Sequence, residues 1–105
     1  MAAMLGHMVY FTLKDKSAEA QQRLIAAANN YLTGHPGTVF FAVGTLTPDL
    51  DRPVNQRDFD VALQLIFQSR EDHDRYQVSE RHQAFIAENN DNWEQVRVFD
   101  ADVNS

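Results

Sequence analysis

The chain has 105 residues, 44% of them apolar and 10% aromatic, which predicts one domain (1–105) with a core of its own and excludes wholesale disorder. A formal net charge of −6, with nine basic residues scattered singly, excludes a phosphate-gripping surface and a basic face for anionic membranes, so no nucleic acid and no membrane is an expected partner. With no cysteine there is no disulfide, no thiolate nucleophile and no thiolate-bound zinc.

The opening "MAAMLGHMVYF" lacks a basic leader, and His7 breaks its short apolar run. Neither a signal peptide nor a membrane span is expected there, and the expected location is cytoplasmic. "HMVYFTL" (7–13) alternates, with His7, Val9, Phe11 and Leu13 on one face, and predicts the first strand. Ser17 is a good N-cap for a helix from Ala18 to about Thr33, whose apolar residues recur at three- and four-residue spacing. "GHPG" (34–37) stops it.

"TVFFAVGTL" (38–46) predicts a second strand, with Gly44 as a candidate bulge or close-approach point. The proline-bearing stretch 47–58 reads as an exposed loop. Its acidic residues have part of a calcium-loop spacing, but Pro53 and Val54 stand where an oxygen ligand and the turn glycine are needed. "FDVALQLIF" (59–67) predicts a third strand with Phe59, Val61, Leu63, Leu65 and Phe67 on one face. Ser69 and Asp72 open a short helix to about Val78, and Ser79 caps another to about Asn90. "EQVRVFDAD" (94–102) is the last strand.

The order β-α-β-β-α-β predicts an α+β, ferredoxin-like fold: a four-stranded antiparallel sheet with helices on one face. The uncovered face would carry Met8, Tyr10, Thr12, Ala62, Ile66 and Phe99, with Asp60, Gln64 and Arg97 among them. It is too apolar for water, which points to a homodimer formed sheet against sheet.

Three stretches, "GHMVYFTLK", "FDVALQLIFQSREDHDRY" and "HQAFIAENNDNWEQVRVFD", resemble the stress-responsive A/B barrel (Dabb) family over residues 5–101. The resemblance implies a dimeric α+β barrel. It also implies, from a plant member that cyclises a linear polyketide, a pocket Tyr–His pair at Tyr76 and His82 with a first-strand histidine at His7. The usual His-Pro-x-His is Ser79-Glu80-Arg81-His82 here, and the cyclase's first-helix tyrosine falls on Ala28.

Chemistry alone adds that His82, third residue of a helix capped by Ser79, sits where partial positive charge disfavours imidazolium. A neutral ring could accept a proton, and the Tyr76 hydroxyl could hold a carbonyl oxygen as charge develops. The plainer alternative is that both are half-buried core residues. Val9, Phe11, Phe85 and Trp93 are the expected pocket walls. His35 and His73 are expected at the surface. No histidine pair has i, i+4 spacing, so a zinc site on one helix is not supported, and no metal or cofactor is among the expectations.

The expected function is binding, or acid–base turnover, of a small, mostly apolar carbonyl compound in the pocket of each subunit. The rivals are a non-enzymatic stress-associated dimer and a haem-linked or cofactor-free monooxygenase.

Overall fold

In the computed structural model, which describes residues 3–104, the alternating stretches become one antiparallel sheet. Its strands are β1 (Met4–Leu13), β2 (Thr38–Thr45), β3 (Val61–Phe67) and β4 (Trp93–Val103), in spatial order β2-β3-β1-β4. Helices α1 (Ala18–Tyr31), α2 (Arg70–Val78) and α3 (Glu80–Asn89) follow the ferredoxin-like order, and a single 3-10 turn, Asn90–Asn92, leads into β4.

The central strands β1 and β3 supply the core. Leu5, Val9, Phe11 and Leu13 from β1 meet Leu63, Leu65 and Phe67 from β3, all buried, beneath Leu24, Ala28 and Leu32 of the α1 region. Burying one such side chain contributes roughly 1.5–3 kcal/mol.

Three serines fix the helix starts. Ser17 Oγ accepts from Ala20 N, Ser69 Oγ from Asp72 N and Ser79 Oγ from His82 N, each at 3.2 Å. The Ser79 hydroxyl also donates to Tyr76 O at 2.9 Å, so one side chain closes α2 and opens α3. Gly34 and Gly37, with φ of 75° and 81°, turn the chain after α1. Arg81 of α3 donates to Asn30 O (2.8 Å) and Thr33 O (3.0 Å), satisfying carbonyls at the end of α1 that no basic residue of its own last turn reaches.

Three expectations are corrected. β1 begins at Met4, because Met4–Gly6 pair with Val103–Ala101 of β4, a partnership that side-chain alternation cannot register. β3 begins at Val61: Asp60 instead accepts from Leu13 N (2.8 Å) and Lys16 Nζ (3.1 Å), and Phe59 packs on Tyr10 of the opposite sheet face at 5.0 Å. Gly44 pairs regularly with Ala62 and has nothing within 4 Å of a notional Cβ; the irregularity lies between Thr38 and Phe40.

The helices pack chiefly over β2, β3 and β1, leaving the inner face of edge strand β4 largely unroofed. Val96 and Val98 there are 38% and 49% exposed, although they pair with the buried Phe11 and Val9. On the outer face Tyr10 packs edge-on against Phe59 and Phe99, beside a depression of about 510 Å³ that the 46–59 loop helps to wall. Among the described residues, no helix is long and apolar enough to cross a membrane.

Candidate functional site

The unroofed stretch of β4 becomes one wall of a cleft of about 330 Å³ between β1 and β4 on one side and α2 and α3 on the other. Val9, Phe11, Phe85 and Trp93 form much of its apolar lining. Phe11 and Trp93 stand 5.0 Å apart between ring centroids, and Phe85 lies 5.7 Å from Trp93.

Tyr76 and His82 meet in this cleft. Tyr76 comes from the last turn of α2 and His82 from the first turn of α3, so the Ser79 joint brings them together edge to face, 4.8 Å between centroids. Tyr76 is 2% exposed, and burial raises its hydroxyl pKa well above the ordinary value. His82 is partly buried, and its Nδ1 has no hydrogen-bond partner. Burial pushes its imidazole down to about 4, with the neighbouring His7, His35 and His73 rings acting in the same direction. Burial thus favours the neutral ring, in the same direction as its place at a helix start.

His7 enters from β1. Its Nδ1–H donates to Asp100 Oδ1 at 2.5 Å, and the Gln77 amide meets its Nε2 at 3.3 Å, which sets the tautomer. Burial lowers the His7 pKa, while the hydrogen bond and the charge of Asp100 oppose that shift. His7 lies 6.1 Å from Tyr76 and 5.0 Å from His73 between ring centroids.

His35 and His73 are not surface residues. His35 is 7% exposed, donates from Nε2 to Tyr31 O at 2.7 Å and packs edge-on against Tyr76 at 4.9 Å. The two positive-φ glycines of the "GHPG" turn fold that ring inward. The His73 side chain is 13% exposed, because the first turn of α2 lies against β1 and Phe67. All four histidines of the chain thus gather around Tyr76 and Phe67.

Asp100 and Gln77 escaped the sequence reading, though Asp100 left a trace there. Val96, Val98 and Asp100 share one face of β4 by alternation, and the antiparallel register sets Asp100 opposite His7.

A family profile, the stress responsive A/B barrel domain (Dabb), matches residues 5–103. A Dabb family protein with a ferredoxin-like fold from Mesorhizobium loti superposes with a TM-score of 0.80 at 22% identity, covering 98% of this chain and 99% of that one. A dimeric ferredoxin-like protein of unknown function from Thermobifida fusca gives 0.79 at 15% identity, covering 98% and 93%. The hydroxynitrile lyase of Passiflora edulis gives 0.77 at 23% identity, covering 99% and 96%. A search of curated proteins gives no significant match. At these identities the superpositions speak for the fold alone, whereas the profile spans nearly the whole sequence: the chain belongs to the stress responsive A/B barrel domain (Dabb) family.

Proposed function

We propose that the cleft binds a small, mostly apolar carbonyl compound and moves a proton at it. The observation that carries this reading is the edge-on contact of Tyr76 and His82 in a cleft with Val9, Phe11, Phe85 and Trp93 among its walls. His82, neutral at pH 7, acts as the base that takes a proton from the carbon next to the carbonyl. The C–H electron pair moves into the new C=C bond, and negative charge gathers on the carbonyl oxygen. The Tyr76 hydroxyl, kept protonated by burial, donates to that oxygen. His7, fixed by Asp100 and Gln77, assists from the sheet wall.

Deuterium exchange in D2O tests this directly. A panel of small ketones, aldehydes and 1,3-diketones is followed by NMR with wild type, His82→Ala and Tyr76→Phe. Cyanohydrins join the panel because a hydroxynitrile lyase shares the fold. At least one compound should exchange faster with wild type, with His82→Ala slower by about 10²–10⁴-fold and Tyr76→Phe by about 10²–10³-fold. Equal rates with and without protein across the panel would remove the enzymatic reading and leave a non-catalytic dimer.

The same reading includes a homodimer built on the outer sheet face. It is supported by the Tyr10, Phe59 and Phe99 cluster there and by the description of the Thermobifida fusca protein as dimeric.

A further inference from the structure

His7, His73 and Asp100 stand together on the cleft wall, drawn from β1, α2 and β4. One ligand-capable atom from each lies within 4.8 Å of the other two. The histidine side chains are 5% and 13% exposed, and that of Asp100 is 46% exposed.

We propose that these three residues bind a divalent transition cation of the zinc(II) and iron(II) class. This site does not depend on the proton-transfer reading.

His73 is prepared for it. Its Nδ1–H donates to Asp74 Oδ1 at 2.9 Å, so the lone pair lies on Nε2, which is buried and without a partner. A carboxylate holding the far nitrogen of an imidazole is the support that metal-ligating histidines use. His7 and Asp100 are prepared in a different way. They already share a proton at 2.5 Å, and a cation takes the place of that proton. Gln77, rotated about its amide, then accepts from His7 Nε2–H, so the ring keeps a second partner.

The donor set decides the class of ion. Two imidazoles with one carboxylate suit zinc, iron(II) or cobalt(II), whereas calcium and magnesium favour oxygen ligands. Around a tetrahedral zinc, with bonds of about 2.0–2.1 Å, donor atoms stand about 3.3 Å apart, so the 2.5 Å His7–Asp100 pair opens by about 0.8 Å and side-chain rotations closing at most about 1.5 Å bring in His73. Three protein ligands leave a fourth position, and the three residues line the same cleft as Tyr76 and His82. The absence of any i, i+4 histidine pair excluded a site on one helix; it says nothing about ligands from three elements.

The test uses the full chain without an affinity tag, stripped with chelator and titrated with Zn²⁺ by calorimetry and by NMR of the four imidazoles. One ion per chain is expected, with the His7 and His73 rings shifting and the His35 ring unmoved. This wild-type measurement requires no variant to fold. Asp100→Asn and His73→Gln should each weaken binding by at least about tenfold, and Asp74→Asn by about 10-fold or more through loss of the supporting carboxylate. His82→Ala should retain wild-type affinity. No binding, several weak ions per chain, equal movement of His35, or undiminished affinity in both ligand variants would overturn the site. The deuterium exchange assay, run on stripped protein, tests His82 and Tyr76 separately, so the two readings fail independently.

Discussion

At the scale of single residues, His82 gains its character from its surroundings. Its ring packs against Tyr76 from α2, and burial sets its imidazole near 4, with the His7, His35 and His73 rings acting in the same direction. If it is the base, kcat/KM for exchange should stay level from pH 8 to about 5 and fall near 4. An ordinary histidine would lose activity near 6.5. Stability follows the same group. Its folded value lies below the unfolded 6.5, so its contribution is complete above 6.5 and is lost as pH falls toward about 4. Urea midpoints at pH 7, 5.5 and 4.5 should therefore decline less in His82→Gln than in wild type; parallel declines would show that His82 does not titrate abnormally. The sequence pointed to His82 and Tyr76 because caps and local spacing are short-range features. It misjudged His35 and His73, whose neighbours "GHPG" and "EDHD" are polar but whose rings are turned inward by contacts distant in sequence.

At the scale of elements, the α2–α3 joint holds the site together. Ser79 accepts from His82 N and donates to Tyr76 O, so Ser79→Ala removes a cap from each helix. A loss of about 0.5–2 kcal/mol in urea unfolding is expected, together with a fall in exchange rate as the Tyr76–His82 contact loosens. Unchanged exchange in a destabilised Ser79→Ala would show that the joint does not position the pair. The turn after α1 is similarly constrained. Gly37 has φ 81°, and a Cβ there would overlap the Asp72 carboxylate, itself tied to Ser69 and Arg75. Gly37→Ala should cost more than about 1 kcal/mol, since strain in the left-handed region adds to the overlap, whereas exposed Val54→Ala should fall within about 0.5 kcal/mol. Both are read from unfolding midpoints. The caps and glycine stops were legible in the sequence because each acts within a few residues of its own position. The true start of β3 was not: Asp60 left the strand pattern for Leu13 N and Lys16.

At the scale of the whole molecule, the two sheet faces separate the proposed roles. The inner face and the helices enclose the cleft, and the outer face carries Phe99, 55% exposed, against Tyr10. If this face joins two copies, sedimentation should give twice the chain mass, and Phe99→Asp should shift the protein to monomer by burying an unpaired charge at the interface. A wild-type monomer at the same concentrations would dismiss the dimer. Alternation, serine caps and glycine stops determined the element order and therefore the ferredoxin-like sheet, since strand period and capping chemistry are written locally. The family text singled out Tyr76, His82 and His7. Only the tertiary structure decided that Asp100 faces His7, that His7, His73 and His82 line one cleft, and that His35 packs behind it on Tyr76. Those pairings rest on sheet register and helix docking between residues up to 93 positions apart, and local pattern carries no record of such separations.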